Sequence, residues 1–475
     1  MKITFIAHAS LLVETQGLSI LSDPWWKGPC FGTQWWVYPR PHLAPLEARP
    51  PDYIYISHGH HDHFHPSTLR ALPRTAKVLV AKGFDIAPSI RKMGFEVLEV
   101  AEQQEFELGR GVRIRIMPTC GGDSLMAVSD GEEICVNLND SLHSAPASVQ
   151  DRFIRILLDF YPTGIDYLFC GYGVASHFPN CYILPGKDRE ATAAARQAYF
   201  NRNWARITQK LAPKYGFPFA AEVVLLDHML FWANEPIHNS ERPTDVFQQL
   251  NPGSKTEVID CAPGFVVENG LVRVRETKQP LSTALLRREY TQEIEKANRV
   301  ASVSDSEIKE LAELLRQNVA LCQPYLVSRK RDYRFLVQIR NAKHGIGIYK
   351  WKSRFEVVVI KDPAPDDFDL TYITRFPYLK NSLVTKHGYE VLFVGSGGVY
   401  QYCSAAQAWQ NLQRDFAAIL TRYGAGPNAY KRRAVRGLPL SKLKRSVKML
   451  LGFKEFDLYD LRTWTVVASS ARGSA

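Results

Sequence analysis

The chain has 475 residues, so two domains are expected, or one large domain with an extension. Hydrophobic residues make up 45% and charged residues 23%, which excludes a mainly disordered, collagen-like or coiled-coil chain. The net charge of +11 favours anionic partners in general, such as phosphate esters or carboxylates.

No apolar run approaches the length of a membrane-spanning helix, and residues 1–8 have the pattern of a strand rather than of a signal peptide. We therefore expect a cytoplasmic protein. The cysteines are scattered along the chain, and none forms a Cys-x-x-Cys pair. This spacing favours neither a zinc ribbon, nor a disulfide framework, nor an iron–sulfur site of the Rieske kind.

Short strands alternate with helices over about the first 270 residues. The predicted strands are Leu18–Asp23, Tyr53–Ser57, Lys77–Ala81, Val112–Ile116, Ile134–Asp140 and Val223–Leu226. Glu190–Leu211 has helical apolar spacing with few breakers, which predicts a long helix. Two of the strands end in an acid, at Asp23 and at Asp140.

The second part of the chain begins near residue 275, which divides it into 1–275 and 276–475. Helical spacing runs over Leu281–Leu321 with a break near residue 304, where Asp305 and Ser306 can cap the next helix. Four strands and a helix are predicted to follow, at Phe335–Ile339, Gly347–Trp351, Phe355–Ile360, Glu390–Val394 and Ala405–Tyr423. We expect an α+β accessory domain.

The most informative segment is a histidine-rich loop after a strand, His58-Gly59-His60-His61-Asp62-His63. His58 and His60 are two residues apart, so an extended backbone directs both side chains to one side. Asp62 and His63 then begin a turn and can serve a neighbouring position. Imidazole and carboxylate ligands suit zinc, iron or manganese, so the loop predicts one or two metal ions. Of the extra histidines, neither His61 nor the nearby His65 is expected to be a ligand.

The order H-x-H-x-D-H after a strand resembles the signature of the metallo-β-lactamase superfamily. The resemblance implies an α/β fold, a four-layer αββα sandwich with the metals at one edge of its two sheets. It implies that Asp23 orients the metal loop and that Asp140 bridges two metals. In a hydrolytic member Asp62 or Asp140 would orient the attacking hydroxide, so both are candidate catalytic residues.

A narrower resemblance is to the CMP-N-acetylneuraminate hydroxylase family. The similar stretches are residues 8–14, 23–31, 35–36, 53–63, 175–179 and 218–220. The resemblance implies iron-dependent hydroxylation of an anionic, nucleotide-sugar-like small molecule, and it places His8 near the metal edge, beside the ligands. That family draws electrons from a Rieske domain; here we expect a separate electron-transfer protein.

One departure from the superfamily pattern concerns the ligand set. A histidine usually precedes the Asp-Ser of the middle strands, but residues 118–124 read Pro-Thr-Cys-Gly-Gly-Asp-Ser. Three alternatives stay open: the site holds one metal, Cys120 is a ligand, or another histidine supplies the missing ligand. His177 and His228 are the best candidates for that histidine, and His143 is a weaker one.

Two further segments have alternative interpretations. Trp25, Trp26 and Trp36 flank a Gly/Pro-rich loop, where they either stack on a substrate ring or pack the loop into the core.

Residues 431–448 contain eight basic residues and no acid. We favour a solvated helix face there, with peripheral contact to an anionic membrane as the alternative; a nucleic-acid partner is not expected.

Three hypotheses of function follow. The first is a non-haem iron oxygenase or hydroxylase that holds its metal with His58, His60, Asp62, His63 and Asp140. The second is a zinc- or manganese-dependent hydrolase of a phosphoester, lactone or amide with the same ligands. The third is a non-catalytic protein that binds a ligand or a partner.

Overall fold

The computed structural model describes residues 1–421 apart from 103, 120–121, 174–176, 221–222, 240, 277, 329–331, 386 and 404–408. The basic segment 431–448 lies outside the described residues. Within the described part of the chain, no helix is both long enough and apolar enough to cross a membrane.

The strands are β1 (Lys2–Ala7), β2 (Ser10–Thr15), β3 (Leu18–Ser22), β4 (Trp35–Val37), β5 (Tyr53–Tyr55), β6 (Lys77–Ala81), β7 (Val97–Val100), β8 (Phe106–Gly109), β9 (Val112–Pro118), β10 (Ser124–Ser129), β11 (Ile134–Asn139), β12 (Tyr167–Gly171), β13 (Tyr182–Ile183), β14 (Tyr215–Phe219), β15 (Val223–Leu225), β16 (Glu257–Val258), β17 (Val266–Glu268), β18 (Leu271–Val274), β19 (Tyr333–Ile339), β20 (His344–Trp351), β21 (Arg354–Lys361), β22 (Leu370–Thr374) and β23 (Gly398–Tyr402). The α-helices are α1 (Ala44–Ala48), α2 (Pro66–Ala71), α3 (Ala87–Lys92), α4 (Ala147–Phe160), α5 (His177–Asn180), α6 (Arg189–Leu211), α7 (Asn234–His238), α8 (Pro243–Leu250), α9 (Thr283–Glu289), α10 (Thr291–Asn298), α11 (Asp305–Ser328), α12 (Phe376–Val384), α13 (Glu390–Phe393) and α14 (Trp409–Leu420).

Two mixed sheets pack face to face in the first part of the chain. The first sheet has the strand order β18-β17-β1-β2-β3-β5-β6-β7, and the second has the order β16-β14-β12-β11-β10-β9-β8. Phe5 of the first sheet and Ile116, Phe169 and Phe217 of the second share one buried core. Burial of these apolar side chains between the sheets is the main force that holds the layers together.

Helices cover the outer faces of both sheets. On the first sheet, Leu69 of α2 and Ile90 of α3 pack with the buried side chains of β5 and β6. On the second, Leu157 of α4 and Trp204 of α6 pack with those of β10, β11 and β12. The four-layer αββα sandwich predicted from the histidine loop is therefore confirmed.

The topology brings the ends of several strands to one edge of the sandwich. β3 and β5 are parallel neighbours in the first sheet, and β11 and β12 are parallel neighbours in the second. Asp23 follows β3, the histidine loop follows β5, and Asp140 follows β11. The carboxyl ends of parallel strands meet at one sheet edge, which is where ligand sites of such sheets form.

A third sheet, with the order β13-β23-β22-β19-β20-β21, dominates the second part of the chain. Leu311 and Leu315 of α11 pack against its buried face with Phe335 and Ile346. Its edge strand β13 comes from the first part and runs parallel to β23. The two parts thus share a sheet, and the boundary near residue 275 stays a prediction.

Two local predictions for the second part were wrong. Glu390–Val394 is not a strand, because the amide of Val394 donates to the carbonyl of Glu390 at 2.9 Å, as in a helix. A short apolar run cannot be assigned to helix or strand from periodicity alone. The cap of α11 is Ser304 rather than Asp305 or Ser306: its hydroxyl accepts from the amide of Glu307, whose carboxylate accepts from the amide of Ser304.

A buried ion-pair cluster joins the two parts of the chain. Asp227, just past β15, accepts from Arg340 and Arg375 of the second part, each at 2.5 Å. Asp227 and Arg375 are buried. Burial alone would raise the pKa of Asp227, but the two guanidinium groups lower it below its ordinary value.

Replacing Asp227 with alanine is expected to destabilise the protein by about 3–5 kcal/mol, because the buried Arg375 would lose its carboxylate partner. Urea unfolding at neutral pH measures this loss. The lowered pKa means that the contribution is present above the ordinary carboxyl pKa and is lost as the pH falls through the folded-state value. The stabilities of wild type and variant should therefore converge in strong acid; equal stability at pH 7 would contradict this account.

Candidate metal centre

Asp23 fixes the orientation of the histidine loop. Its carboxylate accepts from the amide of Ser57 at 2.8 Å, from the hydroxyl of Ser57 at 2.7 Å and from Nδ1 of His63 at 3.0 Å. The side-chain amide of Asn139 donates to the same carboxylate. A carboxylate can only accept these bonds, so His63 carries its proton on Nδ1 and presents the lone pair of Nε2.

His58 is oriented through the same contacts. The Ser57 hydroxyl donates to Asp23, so Nδ1 of His58, 2.9 Å from that oxygen, is the donor of their hydrogen bond. Nε2 of His58 then faces inward and lies 2.9 Å from Nδ1 of His60. The ring nitrogens of both histidines converge, as the two-residue spacing predicts.

Two groups of ligand atoms form at this edge, and His63 is common to both. One comprises His58, His63 and Asp140, and the other comprises His8, Asp62 and His63, with the atoms of each group within 4.8 Å of one another. Nε2 of His63 is 3.3 Å from Oδ2 of Asp62 and 3.4 Å from Oδ2 of Asp140. Ligand atoms about 2.1 Å from one ion, at tetrahedral or octahedral angles, are about 3.0–3.4 Å apart, so this spacing fits metal coordination.

Unpaired polar atoms also fit a metal. Nε2 of His63, Oδ1 of Asp62 and Oδ1 of Asp140 are buried without a hydrogen-bond partner. Buried polar atoms are rarely left without a partner, and a cation would satisfy all three. The residues present therefore suit one or two bound metal ions.

The pKa shifts of the side chains at this edge favour the binding of a cation. Burial alone would raise the pKa of Asp62, but His63 and His8 lower it well below its ordinary value. The pKa of Asp140 is lowered in the same way, chiefly by His63 against the effect of burial. Burial, His63 and His60 lower the pKa of His58. Two carboxylates and a neutral imidazole therefore face the same space.

His63 has the opposite shift. Burial alone would lower its pKa, but Asp62 and Asp140 raise it well above the ordinary value for histidine. The two carboxylates therefore favour positive charge at this position, which a bound metal ion would supply.

Asp123 belongs to the Asp-Ser before which the missing histidine was expected. The amide of Thr119 donates to the carbonyl of Asp123 at 2.8 Å, which closes the loop between β9 and β10. Oδ1 of Asp123 lies 3.8 Å from Nε2 of His58. Burial and the nearby Asp140 raise the pKa of Asp123. Sequence reasoning did not single out this carboxylate, which borders the centre but belongs to neither ligand group. Cys120 lies outside the described residues.

Asp123→Ala is expected to weaken metal retention by at least about tenfold, the loss that removal of an outer partner of a ligand alone can cause. The measurement is a metal titration of the purified variant against chelator competition. Asp159→Ala is a matched control, because Asp159 is an exposed residue at the end of α4. Unchanged retention in Asp123→Ala would mean that Asp123 takes no part in the centre.

Among the described side chains, neither His228 nor His143 belongs to these two ligand groups. The side chain of His228 is 65% exposed, and its Nδ1 lies 2.8 Å from Oδ1 of Asn298. The prediction that His228 is a ligand is not supported, because its ring lies beside Asn298 and Arg340 and belongs to neither ligand group. The backbone of His177 begins α5, and its side chain lies outside the described residues. His143 is near the centre, with Nδ1 at 2.6 Å from the carbonyl of Asp140.

The tryptophans mostly pack the loop rather than line a pocket. Trp25 is fully buried; its indole N–H donates to the carbonyl of Gly28, and its ring meets His8 edge-on at 5.1 Å. Trp36 is buried in β4, which pairs with β15. Neither ring offers a surface for stacking, so the structure favours the core-packing alternative for both. Trp26 is half-buried, and its substrate contact stays a prediction.

The second part of the chain reaches the histidine loop. The ring of His61 stacks on Phe31 at 5.3 Å. Burial lowers the pKa of His61, and Glu390 of α13 is the largest opposing influence. The hydroxyl of Tyr378 in α12 accepts from the amide of Thr33, which lies in the segment that follows Phe31. Residues beyond 370 therefore border the space beside the metal loop.

The fold and the paired ligand groups define a metal-dependent enzyme of the metallo-β-lactamase fold. Residues 2–126 match the family model described as a beta-lactamase superfamily domain, in agreement with the predicted resemblance.

Two kinds of curated protein are similar in sequence to parts of this chain. The chain is 29% identical over 211 residues to a putative Rieske 2Fe-2S iron-sulfur protein of Mycobacterium tuberculosis, a match of 42% of this chain and 39% of that protein. It is 38% identical over 72 residues to the cytidine monophosphate-N-acetylneuraminic acid hydroxylase of Asterias rubens, 15% of this chain and 11% of that one. The chain thus spans well under half the length of these relatives. Among solved structures, the metallo hydrolase Igni18 of Ignicoccus hospitalis is 18% identical with a TM-score of 0.39, over 56% of this chain and 97% of that one.

Proposed function

We propose that the chain is a non-haem iron oxygenase that hydroxylates an anionic small molecule. The observation that carries the proposal is the composition of the ligand groups: His58, His63 and Asp140 in one, and His8, Asp62 and His63 in the other. Each group has two histidines and one carboxylate, the set that is typical of iron(II) oxygenases. Nε2 of His63 has one lone pair and would bind one ion only, so His60, whose Nδ1 lies 2.9 Å from Nε2 of His58, would take its place in the first group.

The relatives support the same chemistry. The short similarity to CMP-N-acetylneuraminic acid hydroxylases includes proteins whose names state a hydroxylation. The longer similarity is to proteins named as Rieske iron-sulfur proteins, a class that carries electrons. A substrate resembling a nucleotide sugar fits both this likeness and the net charge of +11.

Bound iron would supply the activation of dioxygen, and the protein residues would hold and orient it. One oxygen atom enters a C–H bond of the substrate and the other leaves as water, with two electrons and two protons from a separate electron-transfer protein. Asp23 keeps Nε2 of His63 directed inward, and His8 holds Asp62 at 3.2 Å. Glu390 of α13 lies close enough to His61 to influence its charge, so the second part of the chain borders this space.

The proposal is tested by oxygen uptake. Protein loaded with iron(II) under anaerobic conditions and given a chemical reductant is mixed with dioxygen, and the dissolved oxygen is followed. We expect uptake by the wild type and by the exposed-site control Asp159→Ala, and none by His60→Ala. The proposal fails if the iron protein takes up no oxygen while the zinc or manganese protein hydrolyses a phosphodiester or a lactone, which would favour the hydrolase.

A further inference from the structure

His8 occupies a conformation that an ordinary turn residue would avoid. It follows β1 at the tight connection to β2, and its φ of 45° is in the left-handed region. Non-glycine residues adopt this region at an energetic cost, and such strain collects at functional sites. The carbonyl of His8 accepts from the amide of Ala220 at 3.1 Å, which ties this connection to the end of β14.

The strained backbone directs the imidazole to the ligand atoms. His8 is 2% exposed, and its Nε2 lies 3.2 Å from Oδ2 of Asp62. The same carboxylate oxygen is 3.3 Å from Nε2 of His63. These separations equal those of donor atoms around one ion, and the three atoms form one of the two ligand groups of the edge.

We propose that His8 is itself a metal ligand and that it completes a second position formed by Asp62, His63 and Asp140. The first position then uses His58 and His60 with the shared Asp140. A residue just after the first strand, 54 positions before Asp62, thereby supplies the ligand that the histidine loop lacks for its second ion. This inference rests on the proposed metal centre and assigns the ligands within it.

A hydrogen-bond role alone accounts less well for these contacts. As a partner of Asp62 only, His8 would leave Oδ1 of Asp62 and Nε2 of His63 buried without partners. A metal ion bound by the three residues would give Nε2 of His63 a partner.

The test uses cobalt(II) as the probe, because its visible absorption reports the ligands directly. His8→Gly relieves the backbone conformation, since glycine adopts positive φ freely, and it removes the imidazole. His8→Asn also tolerates this conformation, and it retains a donor for Asp62 without the ring nitrogen. His238→Ala is the control, because His238 is a buried histidine that donates to the carbonyl of Val223, away from the centre.

We expect the wild type and His238→Ala to bind about two cobalt ions per chain. In both His8 variants the second equivalent should bind at least about tenfold more weakly, with an altered absorption spectrum. Added imidazole should restore the spectrum of His8→Gly by filling the space of the lost ring. Circular dichroism of the metal-free variants establishes that they are folded.

Wild-type affinity and spectrum in a folded His8→Asn would overturn the inference, because a donor to Asp62 would then suffice. Failure of imidazole to restore the His8→Gly spectrum would also count against a ligand role. If the wild type binds no metal, the proposed function fails instead, so the two failures are distinguishable. The titration reads metal content and absorption, and it needs no substrate.

Discussion

His63→Ala is expected to cause the largest loss of metal and of turnover of any single substitution in the chain. Nε2 of His63 lies within 3.4 Å of carboxylate oxygens of both Asp62 and Asp140, so it belongs to both ligand groups. Its removal deletes a ligand and leaves the carboxylates of Asp62 and Asp140 without the imidazole that lies close to both. We expect turnover to fall by about three orders of magnitude or more, with little metal retained. Elemental analysis and the oxygen-uptake assay measure both effects.

His61→Ala is the matched control for this substitution. His61 lies in the same loop but stacks on Phe31 and belongs to neither ligand group. Its replacement should leave the metal content unchanged. Retention of both metals by His63→Ala, or equal losses in the two variants, would contradict the assignment of His63.

Asp23→Ala is expected to have the largest effect on stability. Asp23 is 0% exposed and accepts hydrogen bonds from the amide and hydroxyl of Ser57, from His63 and from Asn139. Alanine would leave these buried donors without an acceptor. We expect a loss of about 3–5 kcal/mol, measured by urea unfolding of the metal-free protein.

Asp23→Asn removes the negative charge of this side chain but keeps its shape. The amide of asparagine keeps one acceptor oxygen, but its NH₂ group is a donor and would face the donors of the neighbouring residues. Its loss of stability should be smaller than that of alanine but well above the change in Asp159→Ala, which should stay within about 0.5 kcal/mol. A loss below about 1 kcal/mol in Asp23→Ala would show that Asp23 does not hold the loop in place.

The sequence predicted the fold and the centre of the site because their signals are local. The histidine loop sits in six consecutive residues, and each of the two acids ends its own strand. The resemblance to the superfamily pattern placed Asp23 and Asp140 with the loop, and the structure gives the physical reason, since the ends of parallel strands gather at one edge.

Other groups at the centre come from segments that are distant in the sequence, although the family resemblance had already placed His8 near it. His8 reaches Asp62 across 54 residues, and Asp123 reaches His58 from the loop between β9 and β10. No periodicity marks either residue, because each depends on how two strands are aligned in three dimensions. Asn139, which donates to Asp23, was missed for the same reason.

The wrong strand at Glu390–Val394 and the open interpretation of the tryptophans have a common origin, because apolar residues are ambiguous by themselves. Paired tryptophans predict either a pocket wall or a core, and burial decided for the core at Trp25 and Trp36. The run Glu390–Val394 was equally ambiguous between strand and helix. In both cases tertiary packing, rather than local preference, determined the outcome.

The most direct test of the metal centre is elemental analysis of the full chain, purified without chelators from cells supplied with both iron and zinc. The account predicts about two irons per chain in the wild type and a large loss in His63→Ala. Protein that contains zinc alone would contradict the oxygenase. Protein with no bound metal in either form would contradict the metal centre itself.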